Sequence, residues 1–371
     1  MRRSPTLRRA LLATLLLATT AAPAAAVAPA PAVAPADHQP GLFAWAVVTT
    51  PELASYVPDA DHAFVPAGNA LVTRTQKGGW RVTFTGLAVD EATNGGVAHA
   101  VALGTEPRVC WVRSWSRLGE TVRVNVGCRW GSNLIDTPFV VTWTYHANPY
   151  TPYNGYRSGY AWMNLAESSG ALNTGYQAMT AGGTVKSTRT SEGTYTVAMP
   201  GVSATEHVLI SPWGKDRPCR PMSWTTGTTG LKVQVECRQL DGDISDERFT
   251  ILVGRNVSVA GPGYDESAYA VVRTPKLAEY TVAAADGFSF SGEPITVKRA
   301  GVGVWTVRFA GMPAGGAAIV TPLGGTAICQ VGSLPRTDTH LRIGVRCFTP
   351  AGVPVDAKFV VSWGGPKATD T

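Results

Sequence analysis

The sequence is short of charge. Only 16% of its 371 residues are Asp, Glu, Lys or Arg. A disordered chain needs more charge and fewer apolar residues than the 44% present here. Long helices are missing too: no stretch of ten residues shows helical apolar spacing, and 40 Gly and 26 Pro would break one. No apolar run is long enough to cross ~30 Å of hydrocarbon. Histidine is scarce. His38, His62, His99, His146, His207 and His340 never stand four apart, and there is no HExxH, GxSxG, GxxxxGKS/T or strand-led Rossmann glycine run. Those gaps argue against an enzyme. A triad assembled from scattered Ser, His and Asp is what remains open. No cofactor is expected.

What is present begins with an address. Residues Met1 to Arg9 carry Arg2, Arg3, Arg8 and Arg9 and no acid, Ala10 to Ala22 are apolar, and Ala24-Ala25-Ala26 offers small residues for cleavage. Residues 1–26 therefore read as a secretory signal peptide, with Sec and Tat export both open, and the protein as extracellular. Cleavage after Ala26 removes four positive charges and no negative ones, so the net charge falls from +6 to +2. A nearly neutral chain without a Lys/Arg run lacks the electrostatic footprint for nucleic acid. Residues 27–41 are a Pro/Ala lead-in.

Three similar stretches follow. Each holds two cysteines 18 positions apart: Cys110/Cys128, Cys219/Cys237 and Cys329/Cys347. Upstream of each pair lies an aromatic-led run ending in Gly, at Trp80–Gly86, Tyr195–Gly201 and Trp305–Gly311. Further upstream stand Phe43-Ala44-Trp45, Tyr160-Ala161-Trp162 and Tyr269-Ala270-Val271. Downstream, Phe follows Asp by three residues every time, at Asp136/Phe139, Asp246/Phe249 and Asp356/Phe359. The expected modules are 42–145, 160–254 and 268–364, joined by linkers 146–159 and 255–267 and followed by a tail, 365–371. At about 100 residues each should fold alone, as beads on a string, in a monomer.

Val122, Val124, Val126 and Cys128 share one parity, with Arg123 and Asn125 on the other; the second and third stretches do the same around Cys237 and Cys347. Period two with β-branched residues means half-buried strands with the cysteine inward. The expectation is all-β: three tandem antiparallel β-sandwiches, Ig-like or jelly-roll-like, each closed by one hairpin disulfide. The midpoints between the cysteines, Gly119, Thr228 and Asp338, fall in turn-like sequence, which places each pair across one hairpin. Six cysteines allow 15 pairings, and threefold recurrence selects one pair per module.

Other residues invite chemistry and have bland alternatives. The recurring Asp136, Asp246 and Asp356 should cap a turn before the last strand through their own backbone. Asp241-Gly-Asp243-Ile-Ser-Asp246-Glu247 has oxygens for Ca²⁺ but no EF-hand spacing, and reads as an acidic turn. Tyr145, Tyr150, Tyr153, Tyr156 and Tyr160 form an aromatic strip suited to packing or to stacking on sugars. Six of the eleven tryptophans, Trp45, Trp80, Trp111, Trp115, Trp130 and Trp143, lie in the first module. Trp111 and Trp130 have no Trp counterpart elsewhere, so if one module is a specialised binder it is the first. Leu334-Pro-Arg-Thr337-Asp only loosely follows a sortase signal, and Asn256-Val-Ser258 is a glycosylation sequon by pattern.

The pattern G-x-W/Y-x-V-x-F/M-x-G, Cys, 17 residues, Cys, then Asp-x-x-Phe resembles repeat domains in secreted proteins of high-GC actinobacteria, and 24 Arg against 8 Lys fits such coding. The second module departs at Tyr195 and Met199, and the first is one residue short between Cys128 and Asp136. The resemblance implies a secreted β-domain and no mechanism. The expected function is non-enzymatic binding of an extracellular protein or polysaccharide. The alternative is a secreted hydrolase or hydrolase inhibitor using first-module loops.

Overall fold

Alternating apolar residues form strands wherever the sequence predicts them. The computed structural model describes residues 42–87, 95–145, 157–179, 182–202, 207–260, 266–335 and 340–365. The signal peptide, the lead-in, His146, Tyr150, Tyr153, Tyr156, Thr337 and Asp338 lie outside the described residues. Among those described, the regular structure is all strand apart from two three-residue 3-10 turns.

One strand order occurs in three successive regions. In the first, a four-stranded sheet runs Ala63–Phe64, Leu42–Val48, Phe139–Tyr145, Val97–Ala102. In the second the same order, Gln177–Met179, Arg157–Met163, Arg248–Arg255, His207–Trp213, continues through a parallel pairing of Trp213 with Val112 into the first region's other strands as one ten-stranded sheet, and in the third it runs Gly287–Ser289, Ser267–Val272, Phe359–Gly364, Ala317–Pro322. Facing each is a set of five. In the third region these are Glu279–Thr281, Ile295–Gly301, Val304–Phe309, Leu341–Phe348 and Ile328–Ser333, and the first two regions match that order. Inward side chains of the two layers make a sandwich-like core, such as Trp80, Val82, Val124, Val126 and Phe139 in the first region.

The disulfides span the hairpins. Cys110–Cys128, Cys219–Cys237 and Cys329–Cys347 are bonded, and each pair is directly opposite in register. The turns fall at Gly119-Glu120 and Thr228-Thr229 in the first two regions. Disulfides suit an oxidising compartment. No helix among the described residues is long and apolar enough to cross a membrane.

The recurring aspartate does not cap its own turn. It reaches across the fold instead. Asp356 accepts from Arg299 Nε at 3.0 Å and Nη2 at 2.8 Å, and from the Gly303 amide at 3.0 Å. Asp246 with Arg189 and Gly193, and Asp136 with Arg74 and Gly78, repeat the geometry. The glycine is held from its other side too, since the second cysteine's amide donates to its carbonyl, at 3.0 Å for Cys347 and Gly303. Only glycine fits. Its φ is +70°, and a Cβ would lie 2.6 Å from the Cys347 carbonyl oxygen. Gly303→Ala should therefore cost about 3 kcal/mol, from left-handed backbone plus a contact that must open. Gly292, with φ of +72° and open space around its Cβ, is the control and should lose only about 1 kcal/mol as Ala. Urea midpoints of the two variants decide whether the contact or the dihedral matters.

The beads-on-a-string expectation fails. All described residues fall in one compact unit, His38–Thr371. The four-stranded sheets are buried on both faces: every residue of Val97–Ala102, Phe139–Tyr145 and Phe359–Gly364 is buried. Their outer faces share one apolar cluster, in which Phe43, Trp45 and Val101 of the first region meet Tyr160, Leu209 and Leu252 of the second and Ile319 and Val360 of the third. Two predicted linker segments belong to this packing. Arg157–Gly159 is strand, and Val257–Ala260 is buried, with Thr144 Oγ1 donating to the Val259 carbonyl and the Val259 amide to Ser362 Oγ.

Three matching hydrogen bonds close the arrangement. The Gly104 amide donates to the Val331 carbonyl at 2.8 Å, Gly214 to Val112 at 2.8 Å, and Gly324 to Pro221 at 2.9 Å. Each donor is a loop glycine after the fourth long strand of its region. Each acceptor lies two residues past the first cysteine of another region. The bonds run first to third, second to first and third to second, so the regions form a closed ring around a pseudo-threefold axis.

Candidate functional site at the axial cleft

Symmetry brings equivalent loops together, and sequence differences then decide what the meeting point can do. The residues just past the second cysteines converge: Arg129, Trp130, Gly131 and Ser132 from the first region, Gln239, Leu240 and Asp241 from the second, and Pro350 from the third. Asp216 and Arg217 complete the walls of a cleft of about 450 Å³. Trp130 is half-buried and packs beside Gly352 of the third region, where a Cβ would sit 2.8 Å from its ring.

The polar groups of the cleft are tethered. Arg129 Nη1 pairs with Asp216 across the seam between the first two regions. Arg217 Nη1 donates to Glu247 at 2.5 Å, with Lys215 nearby at 3.9 Å. The Asp243 amide donates to Asp241 at 3.1 Å. Arg129 Nε is sheltered from solvent and has no hydrogen-bond partner among the described residues. An aromatic face, guanidiniums with unfilled donors, carboxylates and an amide suit a flat polyhydroxylated ligand.

The seams are keyed differently. The residue after the first cysteine is Trp111, Arg220 or Gln330. Gln330 Nε2 donates to the Gly104 and Glu106 carbonyls, and its Oε1 accepts from the Arg108 amide. Arg220, 1% exposed, donates from Nη1 to the Gly325 and Ala327 carbonyls, and burial pulls its pKa down to about 10. Trp111 is buried against Gly127. Trp115, Trp162, Tyr176 and Trp213 cluster where the first two regions meet, with Trp162 and Trp213 centroids 4.7 Å apart and Arg248 over the Trp213 ring.

Other sequence candidates resolve as structure. Tyr145 and Tyr160 are fully buried, so neither contributes to an exposed strip. Trp80 and Trp143 are core residues, their indoles donating to the Pro51 and Gly95 carbonyls. Tyr195, in the place of Trp80, sends its hydroxyl to the Ala166 carbonyl instead. The acidic turn is tied up in ion pairs, Asp246 with Arg189 and Glu247 with Arg217. Ser258 of the sequon is fully buried. Among the described residues His99 Nδ1 meets Ser211 Oγ at 3.2 Å. Both residues are sealed inside a seam, and burial pulls His99 down to about 3, so the pair is neutral packing rather than a nucleophile and base.

Neither Arg129 nor Asp216 stands out in the sequence, since they are 87 positions apart and meet only when the ring closes. Trp130 does carry a signal, as a tryptophan without counterparts. No protein family, curated protein or solved structure matches the chain.

Proposed function

We propose that this is a secreted, non-enzymatic binding protein that holds a saccharide of an extracellular polymer in the axial cleft. Its scaffold on this reading is three copies of one Ig-like, disulfide-closed β-sandwich, exported by the 1–26 signal. The observation that carries the reading is Trp130, a half-buried indole in an open cleft among tethered polar groups. An indole face stacks well on the C–H face of a sugar ring, while guanidinium, carboxylate and amide groups suit its hydroxyls. The Arg129–Asp216 pair fixes a guanidinium and a carboxylate in the cleft wall, where they can donate to and accept from ligand hydroxyls.

The test is retention of the protein beginning at Val27 on insoluble cell-wall, chitin and xylan preparations. Trp130→Ala should weaken retention at least tenfold on whichever polymer binds, with the urea midpoint unchanged. Retention that survives the substitution would remove the cleft as the site.

A further inference from the structure

A second space lies on the pseudo-threefold axis, next to the cleft. It is a pit of about 50 Å³. Val109, Pro218 and Ile328, the residues before the three first cysteines, line it together with Pro212 and Pro322 of the axial strands. Val109 and Ile328 belong to none of the hydrophobic cores, because they alternate with inward cysteines and so face outward. Among the described residues Arg108 is the one charged residue in the lining. Its Nη1 donates to the Pro107 carbonyl at 2.6 Å, which leaves other donors of the planar fork for a second carbonyl.

The pit and the cleft adjoin through the backbone. Val109 in the pit is the register partner of Arg129 in the cleft, and Pro218 in the pit directly follows Arg217 in the cleft. An apolar cavity of about 150 Å³ accommodates a benzene ring, so one-third of that takes a methyl-sized group. A ligand stacked on Trp130 that also fills the pit must be a sugar carrying a small apolar appendage with a carbonyl beside it.

We infer that the pit receives the acetyl methyl of an acetylated sugar, with Arg108 facing the acetyl carbonyl. This rests on the saccharide reading of the Trp130 cleft. It adds the ligand's class: the polymer is N- or O-acetylated, and acetylation is what the protein reads.

Calorimetric titration of the protein beginning at Val27 separates the possibilities. The probes are N-acetylglucosamine oligomers, the same oligomers de-N-acetylated, O-acetylated xylo-oligomers, and the same after alkaline deacetylation. The acetylated member of at least one pair should bind at least tenfold more tightly. Val109→Phe, which fills the pit, should erase that preference and leave the weaker affinity for the deacetylated member intact. Val109→Ala, which cannot overpack, should weaken only the acetylated member, about threefold, and serves if the larger residue disrupts folding. Equal affinity within both pairs, with Trp130→Ala still abolishing binding, overturns the pit assignment and leaves the cleft standing. Binding that neither Trp130→Ala nor Val109→Phe alters overturns both.

Discussion

Lowering the pH from 7.5 to 5 should cost the fold about 4 kcal/mol, before any carboxylate titrates. The cause is two fully buried histidines, His99 and His207. Desolvation pulls both down to about 3, and for His207 it outweighs the bond to the Gly254 carbonyl, which acts the other way. In the unfolded chain each titrates near 6.5. Between those values the unfolded state binds the protons and the folded state does not. Stability is therefore complete above about pH 6.5 and drains away as the pH falls toward 3, at about 2 kcal/mol per histidine by pH 5. Urea midpoints across pH 7.5 to 5 measure the slope. His99→Leu, which copies Leu209 at the equivalent position of the second region, should halve it. A wild-type midpoint that does not move over this range would falsify the assignment. Below about pH 4 a second loss should set in. Asp246 and Asp356 are held below the usual carboxylate range, chiefly by Arg189 and Arg299, so their contribution is present above about pH 3.8 and lost beneath it.

Heating should unfold residues 42–365 in one transition, not three. Independent beads would each melt alone, with a van't Hoff enthalpy about a third of the calorimetric one. The shared cluster forbids that, because removing any region uncovers the outer faces of the other two four-stranded sheets. At about 0.7 kcal/mol per residue, roughly 320 residues should absorb on the order of 220 kcal/mol near 60 °C in a single peak. Scanning calorimetry at neutral pH gives the ratio directly. A chain ending at residue 254, which lacks the third region, should aggregate or melt at least 15 °C lower. Its melting at the full-length temperature would restore the picture of separate domains.

Both expectations depend on what the sequence did and did not disclose. The hairpins were legible because their information is local: Val122, Val124, Val126 and Cys128 fix the inward face, and Gly119 fixes the turn. The aspartate clamp was half legible. Its recurrence marked a role in the fold, but Arg74 stands 62 positions from Asp136, beyond any pattern of spacing. The ring left a sign that a one-faced sandwich does not explain. Phe43–Val48, Val97–Ala102 and Phe139–Tyr145 are near-continuous apolar runs, which is how strands covered on both faces read. Of the cleft, the unmatched Trp130 was visible, and the cross-seam pairing of Arg129 with Asp216 was not.

The order in which the ring can close is set by the seam between Gly104 and Val331. Their sequence separation, 331 minus 104, is 227 residues. A ribosome adding about 5–20 residues per second needs roughly 11–45 s to cover that distance. For that interval the first region's outer face has been made and its last partner has not. The nascent chain must therefore wait with an apolar flank uncovered, and the third region acts as the latch that ends the wait.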